Sequence, residues 1–190
     1  MLQLKNIVKT YVTGDLKQDA LQDVSLNFRE NEFVSILGQS GSGKTTALNI
    51  AAGLCKADGG SITGAEGRIS YVFQEDRLLE WFTAEENIMM TAVNMPAVKK
   101  FINAAELEDC LDMYPLQMSG GMKKRTAIAR AVGYDGDIIL LDEPFNGIDN
   151  KRVEAIAEFM KDFIKDKICI VVTHNKHEAD ILGAKIIKII

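Results

Sequence analysis

Residues 38–46 read Gly38-Gln39-Ser40-Gly41-Ser42-Gly43-Lys44-Thr45-Thr46, directly after the apolar run Phe33-Val34-Ser35-Ile36-Leu37. The spacing G-x-x-x-x-G-K-[ST], between a buried strand and a helical stretch, is that of a phosphate-binding loop. Glycines let successive backbone N–H groups converge on one anion at φ values that a Cβ forbids. Lys44 puts a positive charge near the outer phosphates, and the Thr45 hydroxyl can ligate Mg²⁺. A helix that starts here aims its positive end at the anion.

A second apolar run, Ile138-Ile139-Leu140-Leu141-Asp142-Glu143, ends in two carboxylates. They emerge at the carboxyl end of a buried strand, where open α/β sheets bind ligands. Asp142 is placed to hold Mg²⁺, directly or through water, and Glu143 to polarise a water for attack on a γ-phosphate. Far from both lies another glycine-rich helix start, Met118-Ser119-Gly120-Gly121-Met122-Lys123-Lys124-Arg125. Ser119 is a good N-cap, and the N–H groups beyond it would make a second anion site. One nucleotide does not need two such sites from one chain. Two chains packed head to tail would use both, each phosphate loop facing the other chain's Ser-Gly-Gly. Taken alone, the segment also reads as an ordinary capped helix.

The elements that must position these groups follow from periodicity. Residues 2–12 and 21–29 alternate apolar and polar around Gly14-Asp15, which suggests an antiparallel pair. Residues 32–37, 68–73, 137–141, 167–172 and 184–190 read as strands, with helices up to about Gly53, at 151–165 and at 175–182. Gly59, Gly60, Gly64 and Gly67 mark a turn-rich link. From about Arg77 to Val132 the pattern is helical. The expected fold is α/β, with a parallel core sheet, an N-terminal antiparallel β subdomain and a helical insert. As one domain it divides into a nucleotide-binding core, residues 1–76 and 133–190, and a helical subdomain, residues 77–132.

The chain has 190 residues, 47% hydrophobic and 26% charged, enough to bury one sizeable core. Its net charge of −5 points away from nucleic acid as a partner. Cys55, Cys110 and Cys169 lack metal spacing and read as buried thiols in a reducing cytosol. The N-terminus lacks the apolar core of a signal peptide, and no run approaches the ~18 residues of a spanning helix. Membrane association would come through a partner.

In chain order, Gly38–Thr45, the MSGGM segment, the ILLDEP segment and Thr173-His174 resemble the motifs of ATP-binding-cassette (ABC) ATPases. MSGGM is similar to that family's signature sequence, usually LSGGQ, and the resemblance runs through almost the whole chain. It implies a P-loop NTPase fold and an ATP-driven dimer with two ATPs sandwiched at the interface. Ser119, Gly120 and Gly121 would then contact the γ-phosphate held by the partner chain. By the same resemblance, Tyr11 stands where an aromatic stacks on adenine. Gln74 looks like the glutamine that contacts Mg²⁺ and water and links the core to the insert. Asp149 looks like the aspartate that crosses the dimer interface, and His174 like the histidine that grips the γ-phosphate. His177 matches no motif.

Phe73-Gln74-Glu75-Asp76-Arg77-Leu78-Leu79-Glu80-Trp81 is similar to the FQE-x-RLLPW segment of importers for nitrate, aliphatic sulfonates and taurine, with Glu80 in place of proline. Met122 replaces the signature glutamine, and Asn146-Gly147-Ile148 replaces Ser-Ala-Leu. The C-terminal extension of many relatives is expected to be absent. The resemblance implies the ATP-hydrolysing subunit of a small-molecule importer. Such a subunit sits on the cytoplasmic face of the membrane, held by transmembrane permease subunits, beside a second ATPase subunit and with a solute-binding protein in the complex. The alternatives are the ATPase of a lipoprotein-release, cell-division or export complex, and a non-hydrolysing nucleotide-gated scaffold. Intact Lys44, Asp142, Glu143 and His174 weigh against the scaffold.

Six of the eight methionines fall between residues 89 and 122, just after Trp81 and Phe82. About half are expected in the core of the insert. The rest, with Trp81 and Phe82, are expected to line a groove beside Gln74 that receives a short helix from a transmembrane subunit.

Overall fold

The computed structural model describes residues 1–189. β1 (Leu2–Thr13) and β2 (Leu16–Phe28) pair antiparallel, from Leu2↔Phe28 to Thr13↔Leu16, around the Gly14-Asp15 turn. A third strand, β4 (Gly59–Thr63), joins the free edge of β1. This corrects the reading of residues 59–67 as a turn-rich link alone. The glycines that mask the strand pattern are needed there: Gly60 has φ +90, and a Cβ on it would lie 2.4 Å from the carbonyl oxygens of both Lys5 and Asn6.

The core sheet is parallel throughout. It joins β3 (Glu32–Leu37), β5 (Ile69–Val72), β6 (Ile138–Asp142), β7 (Ile168–Thr173) and β8 (Lys185–Lys188) in the order β5-β6-β7-β3-β8. β6 and β7 are buried at every position, which explains their unbroken apolar runs. One face presents Val34, Ile36, Leu140, Ile170 and Val172 to α1 (Lys44–Ala51) and to the antiparallel sheet. The other presents Phe33, Ile139, Leu141, Cys169 and Val171 to α5 (Asn150–Phe163), to α6 (Lys176–Leu182) and to the helices between β5 and β6.

Those helices are α2 (Ala84–Met89), α3 (Met95–Ala104) and α4 (Gly120–Tyr134). A Thr83/Glu86 capping box starts α2, and Asn94 caps α3 with Pro96 in its first turn. Phe101 of α3 is fully buried and meets Phe159 of α5 edge-on at 5.3 Å. Cys110 and Cys169 are buried as expected, but Cys55 is only half-buried, because it follows the end of α1 on the surface. Met118 is buried, and Met89, Met113 and Met122 pack at the margin of the core. Met90 and Met95 are exposed.

The parallel register sets the site. Leu37 pairs with Thr173, and Asp142 with Val172. Three strands therefore end at nearly one level, and Gly38, Glu143 and His174 leave the sheet side by side.

Candidate nucleotide site

The loop after β3 is shaped by glycine. Gly41 and Gly43 both have φ +84. A Cβ on Gly43 would stand 2.1 Å from the Ala20 carbonyl oxygen, so the loop is pressed against β2. A Cβ on Gly38 would lie 2.5 Å from Ser42 Oγ. Lys44 is buried, and its Nζ donates to the carbonyl oxygens of Gly38 at 2.9 Å and Gln39 at 2.8 Å. The ammonium holds the loop closed from inside. Gln39, Ser40 and Thr45 are exposed, and Thr46 is half-buried. A cavity of about 650 Å³ opens beside the loop, lined by Gly38, Gln39, Ser42, His174 and Lys188 among others.

Asp142 is 1% exposed. Burial pushes its carboxyl above the usual range, against the pull of the Thr45 hydroxyl and the Lys44 and Lys124 ammonium groups. Its Oδ1 is buried without a hydrogen-bond partner among the described residues, as is Ser42 Oγ. Unpaired buried oxygens are costly unless something occupies them. Two hard oxygen donors, Asp142 and Thr45, beside a phosphate loop suit a divalent cation such as Mg²⁺.

Glu143 has φ 48, a left-handed conformation that is strained for a glutamate. Its N–H donates to the Val172 carbonyl at 2.8 Å, which pins the turn. The turn carries the carboxylate to His174, whose Nδ1 lies 2.9 and 3.0 Å from the two oxygens. That hydrogen bond raises the His174 pKa. Thr173 Oγ1 donates to Glu178 at 2.6 Å and accepts from Asn175 N–H, so the backbone around His174 is fixed as well.

A second cluster forms around the start of α4. Ser119 Oγ accepts from Met122 N–H at 3.3 Å, and Ser119 N–H points at Met122 Sδ at 3.4 Å. The thioether completes a capping box where the signature glutamine would stand, as a weaker acceptor. Gly120 is open. A Cβ on Gly121 would lie 2.6 Å from the Gly147 carbonyl oxygen, so α4 begins directly against residues 146–148. Asp149 caps α5 through Arg152 N–H and pairs with the Arg152 guanidinium at 2.6 Å. No hydrogen bond among the described residues joins Ser119, Gly120 or Gly121 to residues 38–46. Tyr11 is exposed on β1, with its hydroxyl 3.7 Å from Cys55 Sγ and the Lys9 ammonium 5.5 Å from its ring centre.

The ABC transporter family matches residues 21–146, well over half of the sequence. This chain belongs to the ABC transporter family. As an ABC ATPase it is 36% identical to the aliphatic sulfonates import ATP-binding protein SsuB of Bacillus licheniformis, over 94% of this chain and 75% of that protein. It is 34% identical to the macrolide export ATP-binding/permease protein MacB of Brucella melitensis, over 95% of this chain and 32% of that protein. The fold matches the dimeric cassette MJ0796 of Methanocaldococcus jannaschii with a TM-score of 0.89, at 34% identity over 100% of this chain and 94% of that one. A post-hydrolysis dimer of the same cassette, bound to ADP and Pi, matches at 0.86 and 33%.

In this ABC ATPase, two residues that the sequence did not single out hold the segment that carries Gln74. Gln74 follows β5 and is exposed. Lys124, 4% exposed, donates to the carbonyl oxygens of Phe73 and Gln74 and pairs with Asp76 at 2.9 Å. Arg130 donates to the carbonyls of Asp76 and Arg77. Neither role is legible in the sequence, where Lys124 sits in a Lys-Lys-Arg run and Arg130 stands alone five residues after it, and both look like parts of a solvated helix face. The groove next to this segment has a volume of about 360 Å³ and is lined by Leu54, Tyr71, Phe73, Thr91, Arg130 and Tyr134 among others. Trp81, Phe82 and the methionines are not in its lining. Trp81 instead stands 69% exposed, edge-on to Phe82.

Proposed function

We propose that this ABC ATPase hydrolyses Mg²⁺-ATP at two composite sites of a head-to-tail dimer, and so drives import of a small molecule from the cytoplasmic face of a membrane. The observation that carries the catalytic part is the strained Glu143, held with both carboxylate oxygens on His174 beside the unpartnered Asp142 oxygen. The loop N–H groups and Lys44 bind the phosphates. Asp142 and Thr45, with Gln74 opposite, would hold Mg²⁺, which neutralises charge on the outer phosphates. Glu143 accepts a proton from a water as its oxygen bonds the γ-phosphorus and the bond to the ADP oxygen breaks. His174 leaves Glu143 for the γ-phosphate in the closed state and frees the base. Tyr11 stacks on adenine. Ser119, Gly120 and Gly121, with Asp149, face the partner's nucleotide, a reading supported by the dimeric relative.

The permease subunits dock in the groove between α1, β5 and α4, which exposed Leu54 and, one residue before Gln74, Phe73 both line. Import is supported by the FQE-x-RLL segment and by the sulfonate-import relative, with a solute-binding protein completing the complex. The macrolide-export relative supports a second reading, an export or release complex. Composite sites require specific ATPase activity to rise with protein concentration. Constant specific activity across the range where the protein is monomeric would rule out the shared site. Co-purification with a permease and a solute-binding protein separates import from export.

A further inference from the structure

We propose that Arg152 and Glu106 form a clamp that orients Asp149 and locks it to the Ser119–Gly121 turn, so that the two segments facing a partner's nucleotide move as one body. This rests on the head-to-tail reading above. Four contacts close a ring. Gly121 abuts Gly147, so the starts of α4 and α5 lie together. One turn into α4, buried Arg125 donates from Nε to the Gly121 carbonyl at 3.2 Å, and from Nη1 to the carbonyls of Ala105 and Glu106. That fixes the corner after α3, where Glu106 is held at φ 49. From this corner the Glu106 carboxylate reaches Arg152 Nη2 at 2.7 Å, and Arg152 Nη1 takes Asp149 Oδ2 at 2.6 Å.

Arg152 thus spends its two terminal nitrogens on carboxylates from two segments. A lysine, with one nitrogen on a flexible stem, cannot hold that fork. The Arg152 and Glu106 side chains are 37% and 48% exposed, so the pair adds little to stability. What it supplies is direction. Asp149 Oδ1 already caps α5, and the guanidinium fixes the second oxygen, leaving the carboxylate one orientation at the start of α5. Arg152 and Glu106 are positioning residues. Neither lies on this chain's own phosphate loop.

The test uses the full chain carrying Glu143→Gln, which should trap the ATP-bound dimer. E106Q, R152Q, R152K and E106Q/R152Q are added to that parent. Sedimentation with ATP gives the dimer Kd, and a fluorescent ATP analogue on the monomer gives nucleotide affinity. Each single variant is expected to weaken the dimer by roughly 2- to 30-fold, since in each protomer E106Q loses the pair with Arg152 and R152Q loses the pairs with both Glu106 and Asp149. Monomer affinity stays within about twofold of the parent, R152K behaves like R152Q, and the double variant is no weaker than R152Q alone. The same changes in the hydrolysing protein lower the Hill coefficient for ATP. A dimer unchanged in R152Q, or single effects that multiply in the double variant, overturns the clamp. A parent that stays monomeric with ATP overturns the head-to-tail reading and the clamp with it.

Discussion

Lys124 Nζ lies 2.7 Å from the carbonyl oxygen of Gln74 and so ties the second turn of α4 to the segment leaving β5. The same ammonium holds Phe73 O and Asp76, and with 4% exposure it is nearly closed off from water. Any tilt of α4 therefore moves Gln74. Lys124→Met should leave Asp76 without its cation and cost about 1–3 kcal/mol of stability. Turnover should fall roughly 10- to 100-fold, because a displaced Gln74 misplaces the metal and water it serves. Thermal melts and steady-state kinetics check both, and wild-type kcat in K124M would show that Gln74 is held by other means.

His174 and Glu143 share a proton-dependent pair. The hydrogen bond to Glu143 raises the His174 pKa above the ordinary 6.5. Because the folded-state value is the higher one, the pair's stabilisation is fully present below pH 6.5 and is lost as pH rises through the folded value. An NMR titration should find His174 above the ordinary value, and E143Q should bring it down. E143Q should also cut turnover by roughly 10²–10⁴ while ATP binding survives. An unchanged His174 titration in E143Q would break the pairing.

Asp142 illustrates a site residue that burdens the fold. Its carboxyl is buried, raised by burial and short of one partner. Asp142→Asn removes the charge at nearly constant shape. The nucleotide-free protein should gain about 1–2 kcal/mol, a Tm rise of roughly 2–8 °C, while Mg²⁺-dependent hydrolysis collapses. A lower Tm in D142N without nucleotide contradicts this account.

Gly121→Ala separates the two halves of the composite site. The added Cβ would meet the Gly147 backbone oxygen at 2.6 Å, and backbone cannot yield as a side-chain tip does. The residue 146–148 turn must shift, and Asp149 with it. The monomer should bind ATP normally, since its own loop is untouched, while concentration-dependent hydrolysis drops at least tenfold. A G121A protein with unaltered cooperativity would mean the turn can move freely.

Much of this protein was legible in the sequence because its signals are local. The Gly38–Thr45 loop, the Asp142-Glu143 strand end and the Ser119 cap each depend on a few neighbouring residues whose backbone preferences match the structure. The order β5-β6-β7-β3-β8 was not legible from the strands themselves. Strands buried on both faces are near-identical apolar runs, which carry no record of their neighbours. β4 was hidden by glycines that only make sense against the β1 backbone. Lys124, Arg125 and Arg130 look like an ordinary charged helix face. Tertiary folding buries Lys124 and Arg125 and turns all three onto backbone carbonyls 19 to 54 residues away. Glu106 and Arg152 lie in unrelated segments, and only the packing of α4 against the 146–148 turn makes them neighbours. Chemistry that depends on spacing along the chain could be read directly. Chemistry that depends on charges meeting across elements was decided when the sheet faces closed over their helices.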